Sequence, residues 1–301
     1  TFARDALDPV RGTFCCLKPL FTPCATAVGG MIGMSVKSDS EERVDEHRPL
    51  TSEETFHVVS ESGLEELRRP TVSLAWSGLA AGLVLGFSVV AEAVIAGHLP
   101  DNAEWTPLVA DMGYTVGFII VVLGRLQLFT ENTITPVLPI CKEPSRRNLF
   151  ALARNWSVVL AANLAGAFLF AAFIMLTPAL SEAARGEVLE LGRHVADDGF
   201  QVTVIKGIGA GFLIASLVWV LANTLSGQLL AIFIVTYIVA LCGFAHVVAG
   251  TVEISALVLT GNLDAGTAVT GFILPALIGN IIGGTVLFGF ISHAQVSREV
   301  E

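Results

Sequence analysis

The sequence predicts an all-α membrane protein: six transmembrane helices in an inverted three-helix repeat, with the second and fifth helices broken. Three observations carry this. Of 301 residues, 53% are hydrophobic and 15% charged, with a mean hydropathy of +0.71; a soluble domain carries about a quarter charged residues. Two polar interruptions, Leu128-Phe129-Thr130-Glu131-Asn132 and Gly243-Phe244-Ala245-His246, fall at matching places in apolar runs. The halves around them resemble each other.

A tail comes first. Residues 1–65 are charged and lack a sustained period, which predicts a flexible cytoplasmic tail. Its apolar stretch from Phe14 to Met34 is broken by Pro19 and Pro23, and Asp5 and Asp8 spoil the basic flank of a signal peptide. Met31 and Met34 are alternative starts of the biological chain. A membrane domain follows over 66–295 and a short cytoplasmic tail over 296–301.

A span needs about 20 apolar residues. The expected spans are 71–96, 107–140, 149–178, 201–222, 228–260 and 267–292. The second and fifth are too long for a simple crossing, and a break within each explains the excess. Free backbone groups survive at membrane depth only where protein or a water-filled cavity covers them. Paired breaks therefore point to a permeation site near the midplane.

Arg68-Arg69, Lys142, Arg146-Arg147 and Arg298 flank the spans on one side, which the positive-inside rule makes cytoplasmic, with both termini. The opposite loops, 97–106, 179–200 and 261–266, hold only Arg185 and Arg193, among several acids.

The repeat rests on small residues and asparagines. Gly78/Gly82 parallels Gly207/Gly211, and Asn163-Leu164-Ala165-Gly166 parallels Asn280-Ile281-Ile282-Gly283. Thr130 and Asn163 are 33 residues apart, His246 and Asn280 34. The glycines are scaffold: small residues let helix backbones approach in lipid.

The net charge of −10 lies largely outside the apolar runs and excludes a nucleic-acid partner, which needs a basic face. Five cysteines, an odd number without zinc spacing, predict neither a metal site nor a disulfide framework.

His246 is the sharpest candidate, because an ionisable group at membrane depth is costly and usually functional. Low dielectric favours its neutral form, which can hydrogen-bond an anion or hand it a proton; the alternative is a structural histidine satisfying freed backbone. Thr130 offers a hydroxyl at the other break, toward His246 or substrate, or caps the half-helix that follows. Leu128 and Phe129 form either an apolar constriction or ordinary core. Lys206 attracts anions at a mouth or snorkels to headgroups. Arg125 is expected to pair with Glu131 or Glu253, and Glu92 is a further embedded acid.

Leu128-Phe129-Thr130, Arg154-Asn155-Trp156, Asn163-Leu164-Ala165-Gly166-Ala167, Gly243-Phe244-x-His246 and Ile278-Gly279-Asn280-Ile281-Ile282-Gly283-Gly284 occur in an order that resembles the formate/nitrite transporter family, over about residues 66–295. The resemblance implies an aquaporin-like fold, a homopentamer with one pore per subunit in the inner (plasma) membrane, and small monovalent anions such as formate, nitrite or lactate, carried alone or with protons. It implies no enzyme activity, cofactor or metal. Thr130 and His246 become the central polar pair, Leu128 and Phe129 the constriction, and Lys206 the anion-attracting lysine. Glu131-Asn132, Arg125-Leu126-Gln127, the acidic loop 179–200 and Val239, in place of an aromatic constriction residue, depart from better-known members and look most like the family's inner-membrane branch. A pore for small neutral solutes or protonated acids is the alternative. Against a true aquaporin stands the absence of an Asn-Pro-Ala pair, and against a membrane enzyme or receptor the lack of clustered catalytic residues.

Overall fold

The structure is a computed structural model in which residues 48–100, 103–142, 144–224 and 226–299 are described, residues 297–299 by their backbone only. Residues 1–47 lie outside the described residues, and with them most of the expected tail. The tail's end is not a tail. Ser52–Arg68 form helix α1, opened by a capping box in which Thr51 Oγ1 accepts from Glu54 N–H at 3.2 Å and Glu54 Oε2 accepts from Thr51 N–H at 2.8 Å. Phe56, Val59, Gly63 and Leu67 recur at helical spacing and are buried. Five interleaved glutamates (Glu53, Glu54, Glu61, Glu65 and Glu66) hid that stripe in the sequence.

The first span is α2, Thr71–Ala96. The second enters through α3, Thr106–Ala110, and α4, Thr115–Leu123. It breaks over 124–130 and continues through a single 3₁₀ turn, Glu131–Thr133, to α5, Leu138–Lys142. The third is α6, Arg146–Leu176. The acidic stretch expected as a loop instead carries an amphipathic helix, α7, Glu182–Ala196, packed on its neighbours through Ala184, Val188 and Gly192. The fourth span is α8, Phe200–Ala222. The fifth is two half-helices, α9, Gln228–Leu241, and α10, Val247–Leu259. The sixth is α11, Ala265–Val296, with π-helical stretches at Ala268–Ile273 and Ile282–Gly289; helix continues to Glu299, through most of the expected C-terminal tail.

By length and apolarity α2, the α3–α4 unit, α6, α8 and α11 each suffice to cross a membrane, and the fifth crossing is assembled from α9 and α10. Exposed Trp76, Phe150, Phe173, Ile205 and Phe290 give the outer surface a large apolar face. The repeat is visible in packing: α2 lies against α6 as α8 lies against α11. A Cβ on Gly82 would stand 2.1 Å from the Asn163 carbonyl oxygen, and one on Gly211 2.3 Å from that of Asn280. Only glycine permits these approaches.

Both described ends lie on one face. Gln295 Nε2 donates to Ser52 Oγ at 2.9 Å, and α1 buries Phe56 and Val59 against Ile134, Leu138 and Val296. Helix α7 sits at the opposite face, on α10 and α2.

Candidate functional site

Each break is held by one asparagine. Asn163 Oδ1 accepts from Phe129 N–H at 2.8 Å, while its Nδ2 donates to the carbonyls of Gly78 at 2.7 Å and Gln127 at 2.8 Å. Asn280 repeats the pattern: Oδ1 accepts from Val247 N–H at 2.9 Å, and Nδ2 donates to the carbonyls of Gly207 at 2.9 Å and Ala245 at 2.8 Å. Much of the backbone freed by each interruption is thus satisfied by one side chain, with Ser77 Oγ accepting from Gln127 N–H at 3.0 Å at the first break. The same bonds correct the register of the repeat. Phe129 corresponds to Val247, so His246 corresponds to Leu128, and Thr130 and His246 are not repeat partners.

They meet nevertheless. Thr130 Oγ1 and His246 Nε2 are 2.8 Å apart, both side chains buried. His246 caps α10: its Nδ1 accepts from Ala249 N–H at 3.3 Å. An accepting Nδ1 carries no proton, so the neutral ring holds its proton on Nε2 and donates it to Thr130. The Thr130 hydroxyl proton is then available to a third group. Phe118 stands edge-on to the imidazole, with ring centroids 5.0 Å apart.

A cavity of about 320 Å³ opens from the α7 face and reaches His246. Phe244 lines it, its ring lying where a Cβ on Gly209 would come within 2.7 Å. None of the three expected constriction residues does. Leu128, Phe129 and Val239 are fully buried, and the Phe129 ring packs on Trp156 at 5.8 Å. Phe244, two residues before His246, is the aromatic group the sequence reading passed over.

The cavity wall is acidic: Glu92, Asp111, Asp198 and Glu253 all line it. Glu92 and Glu253 are only 8% and 6% exposed, and neither has an ion-pair partner among the described residues. Lys206 does not stand free at a mouth. Its Nζ is 2.5 Å from Asp198 Oδ2, which cancels the charge expected to attract anions. These acids come from four separate stretches of chain, so no local motif announced the cluster.

The ion pairs expected for Arg125 are not formed. Arg125 turns the chain at the first break with φ of 51° and is exposed, away from the cavity that holds Glu253. Glu131 is half-buried on the other side of the break, within electrostatic range of Glu66.

The sequence model of a family described as Formate/nitrite transporter matches residues 53–294. The chain belongs to the formate/nitrite transporter family. Among its relatives, the inner membrane protein YfdC of Escherichia coli (strain K12) is 35% identical over 273 residues, covering 89% of this chain and 88% of that one. The formate channel BtFdhC of Bacillus thuringiensis is 26% identical over 226 residues, covering 72% and 83%. A pentameric formate channel solved with formate bound superposes with a TM-score of 0.65 at 21% identity, covering 77% of this chain and 98% of that one. The two-break, six-crossing fold is that of a membrane channel or transporter of this family.

Proposed function

We propose that the chain conducts small monovalent weak-acid anions, of the size of formate, nitrite or lactate, across the inner membrane, through a pore in each subunit of a homopentamer. The single observation that carries this is the buried Thr130–His246 hydrogen bond, which joins the two breaks at the inner end of a cavity. The name of the Bacillus relative and the pentameric assembly of the solved channel support the substrate class and the oligomer. The lysines and arginines around Arg68, Lys142 and Arg146 support cytoplasmic termini.

The mechanism follows from the tautomer. With Nε2–H given to Thr130, the threonine hydroxyl donates to an anion oxygen, and the pair presents a hydrogen-bond donor without a fixed charge. Desolvating a bare anion costs several kcal/mol even after relaxation. Passage as the neutral acid removes most of that barrier, so anion and proton move together, with flux rising at acid pH.

A second reading, a pore for neutral solutes or protonated acids alone, has one specific support. Glu92, Asp111 and Glu253 line the cavity without an ion-pair partner among the described residues, so its wall offers an anion no positive charge. Uptake of formate, nitrite and lactate into proteoliposomes at several pH values, with proton movement recorded alongside, separates the two. Anion flux with co-moving protons supports the first reading; solute flux without anion dependence supports the second; no flux of either kind refutes both.

A further inference from the structure

A second pocket, about 470 Å³, lies on the face of the termini where α1 meets the start of α6. Arg68, Arg147 and Arg154 line it together with Leu64, Leu67 and Phe150, and among the described residues no carboxylate does. Arg154 is fixed in place: its Nη2 donates to the carbonyl oxygens of Leu67 at 2.8 Å and Arg69 at 3.1 Å, tying the end of α1 to α6. Its Nε is buried and has no acceptor. A buried N–H of a charged group left without a partner is rare in a finished fold and calls for an acceptor. Arg68 and Arg147 are exposed and make no ion pair among the described residues. The first turn of α6, where Ser145 Oγ accepts from Asn148 N–H at 3.1 Å, adds the positive end of a 31-residue helix.

The rim is apolar. Leu149 and Phe150 are 52% and 76% exposed, one turn into a helix long and apolar enough to cross a membrane. We propose that this pocket binds the phosphate headgroup of an anionic phospholipid, with its oxygens on the three guanidinium groups and its chains over Leu149 and Phe150. A phosphate offers several anionic acceptor oxygens to these arginines and matches the fork geometry of the guanidinium group. A free phosphate ion leaves the apolar rim uncovered. Basic pockets between membrane helices are built for this class of ligand. The site is independent of the pore and stands whatever the permeant proves to be.

The test uses the full chain in phosphatidylcholine nanodiscs. Phosphatidylglycerol or inorganic phosphate is added, bound lipid is counted by native mass spectrometry, and melting is followed. Arg154 is left intact because it pins α1. The double variant Arg68→Gln, Arg147→Gln is compared with wild type and with Arg68→Lys, Arg147→Lys. Wild type should bind phosphatidylglycerol about tenfold more tightly than the glutamine variant, with the lysine variant between them. Phosphatidylglycerol should raise the melting temperature of wild type most, of the lysine variant less and of the glutamine variant least, while all three proteins melt alike in pure phosphatidylcholine. Equal phosphatidylglycerol binding by wild type and the glutamine variant overturns the proposal. So does an equal rise with inorganic phosphate alone, or a glutamine variant already destabilised in phosphatidylcholine.

Discussion

Two asparagines hold the pore together, and both are fully buried. Replacing Asn280 by Ala strands Val247 N–H and the Ala245 carbonyl, at about 1–3 kcal/mol for each group, and removes a second donor from the Gly207 carbonyl within α8. Asn280→Ala should therefore fail to give a stable oligomer, read by size-exclusion chromatography and melting; a melting temperature within a few degrees of wild type would contradict the role. A different residue governs charge. Asp198→Asn releases Lys206 from its ion pair at the cavity, so formate uptake should rise at low ionic strength, and unchanged uptake would show that the pair does not shape the local field. At this scale the sequence was informative where polarity interrupts an apolar run, as at Thr130 and His246. It was silent where residues converge from afar. Lys206 was read from its own span, and its partner, eight residues upstream, lies across the turn that begins α8. Phe244 looked like one more apolar residue until its neighbours, Gly209 and the cavity, were in view.

Among elements, the long spans were legible because length and apolarity define them; α1 and α7 were not. Each carries enough charge to read as tail or loop, and each owes its order to a narrow buried stripe. Helix α1 matters because it packs on the segment that follows the first break. A Cβ on Gly63 would fall 2.0 Å from the Thr135 carbonyl oxygen, so that contact cannot open by side-chain adjustment alone. Gly63→Val should detach α1 and expose its C-terminal end to protease while the spans stay intact. Wild-type resistance in that variant would mean α1 is not anchored there. The breaks themselves were correctly located, but their register was not. Spacing aligned Thr130 with His246 within one residue, whereas the asparagine bonds align Phe129 with Val247. Polar residues were the visible signal, and the backbone groups that the asparagines hold were not.

For the whole molecule, the inverted repeat places both described ends on the arginine-rich face and the acidic cavity on the other. Cys141, exposed beside Lys142, provides a native probe of orientation once the other four cysteines are replaced by serine. In sealed inside-out vesicles Cys141 should react with an impermeant maleimide, and in right-side-out vesicles it should not; the reverse pattern would place the termini outside. In the proposed mechanism the acidic cavity and His246 act in one direction, favouring an anion that crosses with a proton.

The most direct measurement of that demand is the pH profile of formate flux through proteoliposomes containing wild type, His246→Ala or His246→Asn. Asparagine retains a side chain able to cap α10, so loss of function in that variant cannot be assigned to a frayed helix. Wild-type flux should rise toward acid pH with one proton per formate, and both variants, still assembled, should lose flux or flatten the profile. Unchanged flux and an unchanged profile in the folded variants would contradict the account and leave His246 as a structural cap.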